Sequence, residues 1–360
     1  MRIENLFTGT KNATLILLAG LALVYSCAEE PPAGHTDISI GKVADENRIE
    51  IMAGQELFTA YIYPDELAKP VLLPVNAPGE VPLTRGFPVH PRTGERTDHP
   101  HQVGFWFSYG NVNGIDFWNN PGNIPEENRD GYGYIEHGEI LRMEGGKNKG
   151  ELVVSAYWKN YSDEVILTEV TTFVFSIKDE TRIIDRVTTL TAGDEEVRFA
   201  DDKEGMAAVR VAREMELPGT GLPVIIGPDG SEGEAGGNYH EGSTGNYLSS
   251  EGLEGDEVWG TRARWMILNG NVNGREATLA LIDHPGNPGY PAYWHARGYG
   301  LFSANPLGQA EFSEGSEVMN MVLPAGESVT FRYRLAIRAG GIITPGEIDN
   351  LASDFTKHIL

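Results

Sequence analysis

The chain reads as an all-β protein: one large β-sandwich with long loops and a short C-terminal helix. Three observations predict this class. Apolar residues alternate with polar ones over many short runs, which is the period of a half-buried strand. The 44 glycines and 21 prolines fall mostly between those runs, where turns need their backbone conformations. Helical spacing is confined to the last residues, and many short strands broken by frequent turns pack best as two sheets face to face.

From the N-terminus, residues 1–26 read as a signal peptide. Arg2 and Lys11 supply positive charge, and the apolar run 13–24 is too short to span a bilayer as a helix. The run ends in Leu23, Val24, Tyr25, Ser26 and Cys27, which resembles the lipobox of bacterial lipoproteins. Cys27 is the sole cysteine, so no disulfide forms within the chain. Residues 27–37 are expected to be an acidic, flexible tether. Buried acyl chains contribute ~0.8 kcal/mol per methylene, so several chains on Cys27 would hold the protein on a membrane. The expected location is the bacterial cell envelope, exported and lipid-anchored, on the periplasmic side or the outer-membrane surface. Residues 38–360 are expected to form a single sandwich domain.

Within that domain the strand runs follow in order. Ile49 and Ile51 alternate with Arg48 and Glu50, and 58–63 alternates likewise. Further runs lie at 151–158, 165–175, 181–190, 262–268, 277–282 and 328–337, several of them rich in β-branched residues. Residues 104–110 look like a strand entering the core, and Asn113-Gly114 signals a tight hairpin. Between 219 and 257 the composition shifts to Gly, Ser, Glu and Pro, predicting a loop excursion. Its tip, 238–241, is a candidate lid over a site. At 344–351, Pro345 in the first turn with Glu347 and Asp349 nearby predicts a capped helix start. The formal charge of -24, from 52 acidic and 28 basic residues, argues against a nucleic-acid partner, because phosphate binding needs a basic face.

Four of the nine histidines fall in two short segments, at His99 and His101 and at His284 and His295. In an extended chain His99 and His101, two apart, leave one face. Such a pair can ligate a metal, or one can transfer protons while the other orients a ligand. The competing reading has one histidine hydrogen-bonded to a loop and the other packed on Trp106. Asp116 beside Trp118 is a pairing that suits sugars, since ring C–H groups stack on an aromatic face and a carboxylate accepts from hydroxyls; a core tryptophan is the alternative. Glu204, in the charge triplet 202–204, is a candidate general acid or base, and acid work would need its pKa raised by burial. Arg210 in the apolar run that follows would have to pair with a carboxylate if it points inward. The stretch 283–306 is read as a loop of turn formers and aromatics.

Taken together, Asp98, His99, Pro100, His101, Gly104, Phe105, Trp106 and Phe107, then Asn113-Gly114 and Asp116-Phe117-Trp118, resemble the signature of the bacterial "PmoA-like" family, a domain of unknown function. Lys203-Glu204-Gly205-Met206 leading to Arg210, His284-Pro285-Gly286-Asn287, Trp294-His295-Ala296-Arg297 and Asn305-Pro306 are similar to its later blocks. The likeness runs from about 38 to 340. A departure is Gln102, where relatives often carry a further histidine followed by Arg; here Val103 follows. The family name points to methane oxygenation by an integral membrane copper protein, which a chain without spanning segments after residue 27 disfavours. Relatives look like secreted proteins of carbohydrate use. Separately, 323–334 resembles the last strands of galactose-mutarotase-like supersandwiches, in which a histidine and a carboxylate line a sugar cleft.

The expectation is therefore an envelope enzyme that acts on a sugar or glycoside by hydrolysis, elimination or epimerisation. His99, His101, Glu204 and His295 are the proton-transfer candidates. Substrate contacts are expected from Asp98, Asp116, Trp118, Arg210, His284, Asn287, Trp294, Arg297 and Asn305. No cofactor is expected; a divalent metal, if bound, would take His99, His101 and His295. The alternative is a non-catalytic sugar-binding surface lipoprotein, and a third reading makes the histidines core residues of a structural protein. The enzymatic reading requires the two histidine segments to meet at one end of the sandwich.

Overall fold

Two antiparallel sheets pack face to face, as the alternating runs require. The computed structural model describes residues 36–219 and 221–357; the expected signal peptide, the lipidation residue Cys27 and nearly all of the tether lie outside the described residues. The first sheet has ten strands. Its spatial order is Tyr293–Arg297, Leu301–Asn305, Gly205–Arg210, Phe105–Tyr109, Val71–Ala77, Glu56–Ile62, Arg48–Ala53, Asp37–Lys42 and Gly146–Lys147, with Val81–Pro82 beside Val71–Ala77. The second has eight, in the order Asn246–Ser249, Trp265–Val272, Arg275–Asp283, Ser328–Ala339, Thr181–Ala192, Val165–Lys178, Lys149–Asn160 and Gly133–Glu144.

The inward faces of both sheets form one apolar core. Phe107, Trp158, Phe173 and Phe331 are each about fully buried in it. The outer face of the second sheet is capped by the helix Pro345–Lys357, through Ile348, Leu351 and Phe355. That helix starts with a reciprocal cap: Thr344 N donates to Glu347 Oε2 at 2.9 Å, and Glu347 N donates to Thr344 Oγ1 at 3.4 Å. The outer face of the first sheet is covered too, by loops packed over Trp106, Trp118, Val103, Ala208 and Leu301. This covered face carries the site.

Asn113 and Gly114 both take positive φ, 54° and 80°, and Val112 and Ile115 exchange two 2.9 Å backbone bonds. This is the hairpin geometry the Asn-Gly pair predicts. Elsewhere the structure differs from expectation. The stretch 283–306 is not all loop, because it contains two strands of the first sheet, Tyr293–Arg297 and Leu301–Asn305. Within the 219–257 excursion, Asn246–Ser249 adds an edge strand to the second sheet. Its tip is no lid: Tyr239 is buried, donates to Glu216 Oε2 at 3.1 Å and lies under Arg96 and Arg213.

Candidate functional site

Strand register builds the floor. His295 faces Ser303, Ser303 faces Ala208, and Ala208 faces Trp106 across successive strands. Partners in an antiparallel ladder share a face, so this row spans four strands, roughly 14 Å. The intervening Trp294, Ala296, Phe302, Val209 and Phe107 belong to the inter-sheet core. The row therefore points out of the sandwich, where loops wall a cleft of about 490 Å³. His99 and His101 line it with Glu204, His295 and Arg297, so the two distant segments do converge. They meet on the outer face of one sheet, not at an end of the sandwich.

His99 and His101 are not on an extended chain. Gln102 N donates to His99 O at 3.0 Å, closing a tight turn with Pro100 second in it. His99 sits in the left-handed region, φ 46°, a strained setting for a residue with a Cβ. Two buried arginines hold this turn. Arg85 donates to the carbonyls of Asp98 at 2.8 Å, His99 at 2.9 Å and Gln102 at 3.0 Å. Arg210, 0% exposed, donates to Asp98 Oδ1 and to Gln102 Oε1, each at 2.5 Å. Burial alone would push the Asp98 carboxyl up, but the His99 hydrogen bond and the guanidiniums of Arg210 and Arg85 hold it well below the usual carboxylate range. Asp98 and Arg210, expected to contact substrate, instead pair with each other beneath the turn. The His99 ring lies flat on Tyr299, 5.0 Å between centres, and His101 stands edge-on 5.7 Å away.

Opposite them, Glu204 is set by its own loop. Asp202 Oδ1 accepts from Glu204 N at 2.8 Å, and Asn305 Nδ2 pins Asp202 O at 2.8 Å. Gly205 must be glycine, because a Cβ there would come within 2.4 Å of the Tyr109 ring. Glu204 Oε1 meets Lys203 Nζ at 3.0 Å. Its Oε2 lies 3.6 Å from His295 Nδ1 and, although buried, has no hydrogen-bond partner among the described residues. His295 Nδ1 is 3.0 Å from Lys203 O. A carbonyl oxygen only accepts, so Nδ1 carries the proton and Nε2 of the neutral ring keeps a lone pair. Burial and then Arg297 lower the His295 pKa to about 3. Burial, then Lys69 and His99, lower that of His101 to about 2. Both rings are neutral at ordinary pH.

Several expected contacts lie elsewhere. Asp116 is a turn brace: its Oδ1 accepts from Trp118 N at 2.7 Å and Asn119 N at 3.1 Å. Trp118 borders the cleft yet is 1% exposed, packed 5.2 Å from Trp106, and so presents no open face. Trp294 is 0% exposed, on the core side of its strand, with Nε1 donating to Ala263 O at 3.0 Å. Asn305 is spent on Asp202, Leu307 and Gly308. His284 and Asn287 belong to a different corner. There Asn287 Nδ2 donates to Asp283 Oδ1 and to Arg332 O at 2.7 Å each, while His284 packs edge-on to Phe355 at 5.1 Å.

Reading by residue type missed Asn119 and Asp256, which line the cleft, and Lys69. The last is buried and donates to Trp118 O beneath the wall of the cleft; burial lowers its pKa to about 7. Because its charge opposes protonation of His101, Lys69→Met is expected to raise the His101 titration midpoint, read from imidazole NMR shifts. An unchanged midpoint would separate the two groups. His99, His101 and His295 share the cleft, but among the described residues no three His, Cys, Asp or Glu side chains are grouped to hold a metal ion.

Among solved structures the chain is similar to a galactose mutarotase-like protein from Clostridium acetobutylicum, at 11% identity and a TM-score of 0.38, covering 84% of this chain and 99% of that one. It is also similar to a GH36 α-galactosidase from Geobacillus stearothermophilus in complex with stachyose, at 12% identity and a TM-score of 0.31. There 85% of this chain is covered, and it spans 40% of that enzyme's length. A search among curated proteins finds no match. Residues 48–353, which include every cleft residue named above, match one family model; the chain belongs to a family of unknown function, DUF6807.

Proposed function

We propose that the protein is a carbohydrate-active enzyme that performs acid–base chemistry on a sugar in the outer-face cleft. The observation that carries this reading is Glu204 Oε2, a buried carboxylate oxygen with no hydrogen bond among the described residues, 3.6 Å from a neutral His295. Leaving a charged oxygen unpaired costs roughly 1–3 kcal/mol or more, a cost a folded protein keeps where a ligand will supply the partner. A sugar hydroxyl or an acidic C–H is such a partner. Glu204 takes the proton, and His295, its tautomer set by Lys203 O, offers Nε2 as a second acceptor. His99 and His101, fixed on their turn, orient hydroxyls. Hydrolysis, elimination and epimerisation all share this proton transfer.

The test is turnover of a glycan panel by the purified protein. Turnover by the wild type that is lost in Glu204→Gln supports the reading. Sugar binding without any turnover, equal in both proteins, would instead make it a non-catalytic binder, which has no use for the unpaired carboxylate.

We also propose that the protein works at the bacterial cell envelope, anchored through Cys27. Wild-type protein expressed in a bacterial host is expected to take up labelled fatty acid and to partition with membranes; Cys27→Ser should do neither. A wild type that stays unlabelled and soluble would contradict the anchor.

A further inference from the structure

Resting on the carbohydrate reading above, we infer that the sugar taken by this cleft carries an oxyanion, a carboxylate or a sulfate ester, seated on the guanidinium of Arg297. Arg297 pairs with Leu301, which in turn pairs with Arg210. It therefore stands on the outer face, one pleat along from His295, and lines the same cleft. Its Cζ lies 4.5 Å from the centre of the Trp259 ring, a cation–π contact that steadies the plane of the fork without using its N–H donors.

Those donors are what makes Arg297 unusual here. The chain has 52 acidic residues against 28 basic ones, and most of the described arginines, including those around the site, pair with a carboxylate. Around the site Arg85 and Arg210 hold Asp98, and Arg96 holds Glu216 at 2.7 Å. Lys203, the other cation lining the cleft, is taken by Glu204 at 3.0 Å. Among the described residues the Arg297 guanidinium forms no hydrogen bond and no ion pair, although Asp256 lines the same cleft. A half-buried, weakly hydrated, planar fork is matched by a ligand group with two coplanar oxygens. The carboxylates of Glu204 and Asp256 would repel such a group from the rest of the cleft, which fixes the orientation of the sugar as well as its class.

The test uses the purified full chain and methyl hexosides in three matched forms, neutral, 6-carboxylate and 6-sulfate, titrated by calorimetry. A charged form is expected to bind about 10- to 100-fold more tightly than its neutral counterpart, the range of one charge-assisted bidentate contact. Whichever charged form binds better identifies the source of the oxyanion. The advantage should shrink as salt rises from about 0.05 to 0.5 M and vanish in Arg297→Gln. If that variant does not fold, the wild-type salt response stands alone: affinity for the charged forms that ignores salt overturns the inference. Neutral hexosides bound as tightly as both charged forms would also overturn it while leaving the carbohydrate reading in place. Binding of no form at all would overturn both.

Discussion

Glu204→Gln is expected to lower turnover by about 10²- to 10⁴-fold, the usual contribution of a positioned proton-transfer group. The amide keeps the shape of the carboxyl but cannot take a proton, so the loss should fall on kcat with KM little changed. The imidazoles of His101 and His295, held at about 2 and 3, stay neutral throughout the ordinary assay range. Neither should add a limb near about pH 6.5 to the wild-type profile. His295→Ala should reduce kcat as well, because it removes the neighbour 3.6 Å from the carboxylate oxygen. Retained turnover in both variants would remove these roles from Glu204 and His295.

Asp98→Ala is expected to destabilise the fold by about 3 kcal/mol, the low end of the range for breaking a buried ion pair because the carboxylate is partly exposed. Two guanidiniums depend on it, Arg85 and Arg210, whose side chains are 1% and 0% exposed. Without Asp98 both remain buried with only neutral acceptors. The pKa of Asp98 in the folded protein lies below its value in the unfolded chain. Its contribution is therefore complete above about pH 4 and fades as the pH falls below that. Wild-type stability, followed by urea unfolding, should drop through this acid window, and the Asp98→Ala curve should be flatter there. Equal unfolding midpoints at pH 7 would show that the carboxylate does not hold the turn.

The parts of the fold that were legible in the sequence are those where local chemistry settles the outcome. Asn113-Gly114 demands positive φ twice, and Thr344 with Glu347 caps a helix whatever lies beyond it. Strands with one buried face, such as Arg48–Ala53 and Lys149–Asn160, alternate and could be read. The strand Tyr293–Arg297 could not, because loops bury its outer face too: Tyr293 and His295 on one side are as covered as Trp294 and Ala296 on the other, which erases the period of two. For the same reason Trp118 and Trp294 looked like sugar platforms. Residue type does not reveal which side of a strand or loop a ring occupies, whereas the exposed tryptophan beside the cleft, Trp259 at 37%, stood in a stretch with no motif. The histidines at 99, 101 and 295 were found because imidazoles clustered near acids are rare. His284 carried the same signal, but it accepts from Gly286 N and packs on Phe355 of the C-terminal helix, while Asn287 ties that loop to Arg332 of the second sheet. Convergence depends on register across four strands, information carried by long-range pairing and not by any window of sequence.

The most direct measurement is histidine imidazole NMR of the purified protein during titration with the glycan that binds best. A sugar in the outer-face cleft should shift the signals of His101 and His295 and leave His284, beside Phe355 of the C-terminal helix, and His137, beside Tyr63, where they were. Shifts at His284 or His137 with His101 and His295 unmoved would place the ligand elsewhere and contradict the site.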